Sequence, residues 1–237
     1  MCVICTSEKG CPQPDSKLIR SMFRANPDGA GYMVARGGRV EIHKGFRTVT
    51  AFLAAIRAEA FTADDPVVYH FRIATQAGRT QEMTHPFPLC SELDDMERLE
   101  FVSDIGVAHN GIISLTSDGD RRYSDTAKFI SQYLVNIIRD PADLRKASCM
   151  EIIDALAHSR FALMDGSGYI AYAGRGWTMD DNGLWYSNRN HEFTARHVKA
   201  PSMRITDGEE SGNNYMSRCN FRWPAAWDSD KKSHSGM

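Results

Sequence analysis

The sequence lacks the features that mark several large classes of protein. No apolar run approaches the roughly 18 residues that a membrane span needs, and the N-terminus has no long apolar core of a secretory signal. The formal net charge is only -2, so no global attraction to nucleic acid or to an acidic membrane is expected. These absences predict a cytoplasmic protein that has neither nucleic acid nor a membrane as its partner.

Cysteine is sparse as well. The 6 cysteines are too few and too scattered for the disulfide scaffold of a small secreted domain, so we expect reduced thiols. The segment Cys2-Val3-Ile4-Cys5 has the C-x-x-C spacing of a metal or redox module. A zinc site normally needs further ligands, however, and no second C-x-x-C follows. We therefore predict no cofactor and no bound metal.

The order of the predicted elements favours an α+β fold. Strands come in hairpin-like groups, such as 30–36 and 39–44 around Gly37-Gly38, and helices separate the groups. This order differs from a regular βαβ repeat. From about Thr206 onwards, polar residues, glycine and serine dominate. We therefore predict one domain over residues 1–205 and a polar extension over 206–237, either docked on the domain or partly ordered.

Cys2 stands directly behind the initiator methionine. Removal of Met1 would leave one residue that carries both a thiol and a free α-amine, with ordinary pKa values near ~8.5 and ~7.7–8.0. Such a residue is a nucleophile with a base at a fixed covalent distance. Cys2 is therefore the candidate catalytic nucleophile.

Two further candidates lie at the end of a predicted apolar strand over 66–75. Arg72 can clamp a carboxylate with two parallel hydrogen bonds, and Thr75 can add a hydroxyl. A surface salt bridge is the alternative for this segment taken alone. His85 lies in the next loop, where two prolines favour an extended chain, and we interpret it as shaping the pocket rather than transferring protons.

An Asn-Gly pair follows the next predicted buried strand. Asn110-Gly111 would ordinarily indicate a type I′ turn between two strands. A carboxamide and a glycine N–H can instead point together at one oxygen, which makes an oxyanion hole for acyl transfer. The pair therefore has both a structural and a catalytic interpretation.

A strongly amphipathic predicted helix covers residues 124–138. Ser124 or Asp125 can cap its N-terminus, which is sufficient reason for either residue to be there. Asp125 is in addition a candidate for binding a substrate ammonium group.

Taken together, these segments resemble the glutaminase domain of class II glutamine amidotransferases. That family includes the glutaminase halves of glucosamine-phosphate synthase and of the amidophosphoribosyltransferase of purine synthesis. The resemblance spans residues 2–188, with the motifs in the family's order and at compatible spacing. It implies the four-layer αββα sandwich of N-terminal-nucleophile hydrolases. The chain departs from the family at Val3, where members commonly have glycine, and no synthase domain is visible after it.

The resemblance implies a role for each candidate residue. Cys2 would attack the glutamine side-chain amide, with its own α-amine as the general base through a water. Arg72 would bind the α-carboxylate, with Thr75 in the same loop and His85 in the following one. Asp125 would bind the α-amine. Asn110 and Gly111 would hold the oxyanion.

The implied reaction hydrolyses glutamine through a γ-glutamyl thioester on Cys2 and releases glutamate and ammonia. The ammonia would pass to an acceptor on a separate protein. Hydrolysis of another γ-glutamyl amide, without ammonia transfer, is the alternative within the same chemistry. A cysteine-based metal or redox module and a non-catalytic binding subunit are the alternatives from other classes. The mature N-terminus discriminates between them, because an intact Met1 blocks the α-amine.

Overall fold

The computed structural model describes residues 2–73, 80–116 and 122–192, which contain strands and helices in alternating groups. The strands of this part are β1 Val3–Ser7, β2 Gly29–Arg36, β3 Arg39–Phe46, β4 Val67–Arg72, β5 Phe87–Pro88, β6 Glu100–Ser103, β7 Ile105–Asn110, β8 Arg160–Asp165, β9 Ile170–Ala173, β10 Thr178–Met179 and β11 Trp185–Tyr186. The α-helices are α1 Ser16–Ala25, α2 Val49–Glu59, α3 Asp125–Phe129, α4 Val135–Ile137 and α5 Ala147–Ala157. A π-helical segment, Ile130–Leu134, joins α3 to α4, and 3-10 turns cover Asp94–Glu97, Ser114–Thr116 and Pro141–Arg145.

The strands form two sheets in which neighbouring strands are antiparallel. The larger sheet has the order β10-β11-β1-β4-β2-β3-β6, and the smaller has the order β5-β7-β8-β9. β1 lies inside the larger sheet, between β4 and β11. The residue in front of β1 therefore lies next to the end of β4.

Side-chain caps explain where α1 and α2 begin. The side chain of Asp15 accepts a hydrogen bond from Leu18 N at 2.7 Å, in front of α1. Thr48 caps α2 in the same way, through a bond from Ala51 N at 3.2 Å. Each cap satisfies a backbone N–H that the first helical turn leaves without a partner.

Apolar side chains of the described residues gather in three clusters. The first joins α1 and α2 to one face of the larger sheet and includes Val3 and Cys5 of β1. The second joins residues of the two sheets, among them Ile4 from β1 and Ala108 from β7. The third joins the smaller sheet to α3, α5 and their neighbours. Side chains alternate along a strand, so Cys2 shares the direction of Ile4, towards the cluster that joins the sheets.

The predicted α+β class is confirmed, and so is the hairpin at Gly37-Gly38, where β2 and β3 pair directly. The helix predicted over 124–138 is interrupted by its π-helical segment. The predicted boundary near residue 205 lies outside the described residues. Within the described residues, no helix is both long and apolar enough to cross a membrane.

Candidate active site

Cys2 lies against the end of β4. β1 pairs with β4 so that Val3 is opposite Phe71, and the residue before β1 therefore meets the residues that close β4. Ile73 N donates a hydrogen bond to Cys2 Sγ at 3.4 Å, and the thiol donates to Ile73 O at 3.6 Å. Two backbone groups of Ile73 thus hold the sulfur.

Burial raises the pKa of the Cys2 thiol, while the Ile73 N–H and the positive charge of Arg72 act in the opposite direction. The thiol is therefore the resting form at neutral pH, and a base must remove its proton before the sulfur can attack. The α-amine that removal of Met1 would free is the base nearest in covalent distance. Met1 itself lies outside the described residues.

Arg72 closes β4 and is buried, with 7% of its surface exposed. Its Nη1 donates to Thr80 O at 3.1 Å. Burial lowers the pKa of this guanidinium, whereas the charges of Cys2, Asp28 and Asp125 favour its protonated form. The predicted nucleophile and the predicted ammonium-binding carboxylate therefore each lie within electrostatic reach of Arg72. The neighbouring candidate Thr75 falls within residues 74–79, outside the described part.

The Asn110-Gly111 pair is not a hairpin turn. β7 ends at Asn110, and the chain continues into the 3-10 turn Ser114–Thr116 instead of into a partner strand. Asn110 is 1% exposed, and its Nδ2 donates to Ser187 Oγ at 2.8 Å. A Cβ on Gly111 would lie 2.4 Å from Ser159 Cβ, so the packing at this strand end requires glycine.

Three buried imidazoles meet at the end of β7: His109 belongs to that strand, and His70 and His85 contact its backbone. His70 Nε2 lies 3.0 Å from His109 O. His85 Nδ1 lies 3.0 Å from the same oxygen and 3.3 Å from His109 N. His85 Nδ1 therefore contacts both backbone groups of His109: it donates to the carbonyl when protonated and accepts from the N–H when unprotonated. His85 therefore supports the strand end that presents Asn110, in keeping with a role in shaping the pocket.

These imidazoles are neutral near pH 7. Burial lowers the pKa of His70 to about 3 and that of His109 to about 3. Burial also lowers the pKa of His85, and the other two imidazoles reinforce the shift. Groups that stay neutral over the physiological range suit fixed hydrogen bonds better than proton transfer.

Asp125 occupies the first turn of α3, and Ser124 is the capping residue, because Ser124 Oγ accepts from Ala127 N at 3.1 Å. Asp125 Oδ2 accepts from Ile113 N at 2.7 Å, and Oδ1 accepts from Thr126 N at 2.8 Å. The carboxylate thus ties the loop that follows β7 to the start of the helix. Asp125 is half-buried, so part of its surface remains exposed.

Two residues that follow β11 also contact the site, although no pattern in the sequence identifies them. Ser187 is fully buried, and its Oγ accepts from Ile4 N at 2.9 Å. Asn188 Nδ2 donates to Cys2 O at 2.6 Å. A single Ser-Asn pair at the end of a short strand follows no spacing rule, so only the pairing of β11 with β1 reveals its place.

The C-x-x-C pair is divided between the two faces of the larger sheet. Cys5 is fully buried in the cluster with α1 and α2, and burial raises the pKa of its thiol. Cys2 belongs to the opposite face, where it meets the end of β4. In the part of the chain that the structure describes, no group of three or more His, Cys, Asp or Glu side chains is arranged to hold a metal ion. The geometry therefore does not join Cys2 and Cys5 as ligands of one metal.

Comparisons with known proteins assign no family to this chain. A scan against protein-family models finds no match, and a search of curated proteins finds none either. A functional proposal must therefore rest on the motifs and on the geometry just described.

Proposed function

We propose that the protein is a glutaminase of the class II amidotransferase type, in which Cys2 is the nucleophile after Met1 has been removed. The observation that carries the proposal is the position of Cys2 beside the end of β4. Its sulfur is held by Ile73 N at 3.4 Å and feels the charge of the buried Arg72. Three apolar clusters with helices outside two sheets support the four-layer αββα arrangement of N-terminal-nucleophile hydrolases as part of the proposal.

The first half of the proposed reaction transfers the glutamyl group to the sulfur. The α-amine of Cys2 takes the thiol proton through a water, and the sulfur attacks the side-chain carbonyl carbon of glutamine. The carbonyl oxygen becomes an oxyanion that receives hydrogen bonds from the Asn110 carboxamide and from Gly111 N–H. The C–N bond then breaks, the departing nitrogen takes the proton from the amine, and ammonia leaves a γ-glutamyl thioester behind.

The second half returns the enzyme to its starting state. A water attacks the thioester carbon while the same α-amine accepts a proton from it. The C–S bond breaks, the sulfur regains its proton and glutamate leaves. The sum is glutamine plus water giving glutamate plus ammonia. The ammonia is proposed to serve a synthase on a separate protein.

The ends of the substrate meet opposite charges in this proposal. Arg72 pairs with the α-carboxylate, since a buried guanidinium is a strong bidentate donor. Asp125 receives the α-ammonium on the side that its bonds to Ile113 and Thr126 leave open. Both charges select a γ-glutamyl compound with a free amino-acid end.

A pair of cysteine variants on the same strand tests the proposal. Cys2→Ala is expected to abolish glutamate and ammonia release, because no other residue carries both thiol and α-amine. Cys5→Ala is the matched control: it removes a buried thiol from the other face of β1 and is expected to keep activity at some cost in stability. Equal loss of activity in the two variants, with both folded, would contradict the assignment of Cys2.

A further inference from the structure

One oxygen atom joins the strand of the nucleophile to the oxyanion residue. Ser187 Oγ accepts from Ile4 N at 2.9 Å and from Asn110 Nδ2 at 2.8 Å. Ser187 N also donates to Ile4 O at 3.0 Å. All three residues are at most 1% exposed. Ser187 therefore bridges β1 of the larger sheet and the end of β7 in the smaller sheet.

The orientation of the Asn110 carboxamide leaves two buried groups unsatisfied. With Nδ2 towards Ser187, Asn110 Oδ1 has no hydrogen-bond partner among the described residues. The hydroxyl proton of Ser187 likewise has no acceptor there, since Ser187 Oγ takes part only as an acceptor. Each unmet buried group carries a desolvation cost.

A half-turn of the carboxamide removes one of these two defects. The oxygen and nitrogen of an amide have nearly the same shape, so exchanging them moves no other atom. Asn110 Oδ1 would then accept from the Ser187 hydroxyl, while Ser187 Oγ still accepts from Ile4 N. Asn110 Nδ2 would then be the one side-chain atom of the pair without a partner, and its two N–H groups would occupy the position that Oδ1 holds now.

We propose that Ser187 is a positioning residue that holds the Asn110 carboxamide in this turned orientation and fixes it relative to the strand that follows Cys2. The assignment rests on the proposed function, because it gives the unmet N–H a partner: the oxyanion that forms during attack. A donor that is satisfied only in the transition state lowers the barrier without tightening substrate binding. Ser187 would thus set the direction of the donor without touching the substrate.

Two serine variants test this assignment by steady-state kinetics. Ser187→Ala is expected to lower kcat by about 10- to 100-fold, less than the roughly 10²–10³ of a deleted oxyanion donor, and to leave KM for glutamine unchanged. Ser7→Ala is the matched control, since Ser7 is a fully buried residue of β1 whose hydroxyl donates to Cys11 O and Pro12 O. It is expected to lower the melting temperature and to keep kcat. Equal effects of the two changes on kcat would overturn the assignment.

A double-mutant cycle separates positioning from general damage to the fold. In an Asn110→Ala background, Ser187→Ala is expected to cause no further loss of kcat, because the group that it orients is already absent. If the double variant instead loses kcat by the product of the two single losses, Ser187 acts by another route and the assignment is overturned.

Neutron diffraction from crystals of the deuterated wild-type chain supplies a readout that needs neither activity nor a folded variant. Two deuterons on the Asn110 atom that faces away from Ser187, with the serine deuteron directed at the other atom, are the expected result. In a chain that hydrolyses glutamine, deuterons on the Asn110 atom that faces Ser187 would overturn the positioning role of Ser187 and leave the proposed function intact. A chain freed of Met1 that neither hydrolyses glutamine nor labels at Cys2 would contradict the proposed function instead.

Discussion

Replacing Asp125 separates substrate binding from support of the loop after β7. Its Oδ2 accepts from Ile113 N at 2.7 Å, and its open side is proposed to hold the substrate ammonium. Asp125→Asn keeps one carbonyl oxygen for Ile113 N–H, and it removes both the negative charge and the second acceptor, which serves Thr126 N–H. Asp125→Ala removes both oxygens. The two variants therefore share the loss of ammonium binding and differ in the loss of the loop contact.

The expected magnitudes follow from those contacts. A hydrogen bond to a charged group contributes about 1.5–3 kcal/mol, and a half-buried one belongs at the low end, so Asp125→Ala is expected to lower the unfolding free energy by about 2 kcal/mol. Asp125→Asn exchanges a charged acceptor for a neutral one and should cost about 1 kcal/mol. KM for glutamine should rise about tenfold or more in both, since a lost interaction of about 1.4 kcal/mol changes affinity tenfold.

The assay combines steady-state kinetics with denaturant unfolding of the same preparations. Ser124→Ala is the control, because it removes the true cap of α3 at a cost of about 1 kcal/mol and leaves the carboxylate in place. A KM that stays at the wild-type value in Asp125→Asn would refute the ammonium role. A KM that rises equally in Ser124→Ala would attribute the effect to the helix start rather than to the charge.

Three further perturbations have defined outcomes. Asn110→Ala is expected to lower kcat by roughly 10²–10³ with little change in KM, and steady-state kinetics that show an unchanged kcat would remove it from the site. Stability to urea is expected to fall from pH 7 to pH 5. The buried His70 and His109 have folded pKa values of about 3. In the unfolded chain their pKa values lie near ~6.5, so the unfolded state binds more protons as the pH drops through that window. Equal unfolding free energies at the two pH values would contradict the buried, neutral imidazoles. Gly111→Ala is expected to lower both kcat and the unfolding free energy, the latter by about 1–3 kcal/mol, because its Cβ would overlap Ser159 Cβ; an unchanged melting temperature would contradict the packing.

Several elements could be predicted from the sequence because their signals are local. Gly37-Gly38 specifies a tight turn whatever surrounds it, and β2 and β3 pair on either side of it. The cap of α1 is equally local, since Asp15 accepts from Leu18 N three residues further along the chain. By contrast, β6 has exposed residues such as Val102, which is 55% exposed, and exists because β3 offers it an edge to pair with.

The site follows the same division. The chemistry assigned to Cys2, Arg72 and Asn110 stays a prediction, and what the structure adds is the position of Cys2 against the end of β4, beside Arg72. The interpretation of Asn110-Gly111 as a possible hairpin turn depended on what followed it, and the structure has a 3-10 turn there instead of a strand. Ser187 could not be predicted, since its place depends on the pairing of β11 with β1, a contact between residues 183 apart.

The most direct test of the account is intact-mass analysis of the chain before and after treatment with a glutamine-shaped electrophile. The account predicts a chain that has lost Met1 and gains one adduct, located at Cys2 by peptide mapping. It also predicts that glutamine slows this labelling and that Cys5, buried on the other face of β1, stays unmodified. A chain that lacks Met1 and yet gains no adduct at Cys2, or gains one that glutamine does not slow, would contradict Cys2 as the nucleophile of a glutaminase.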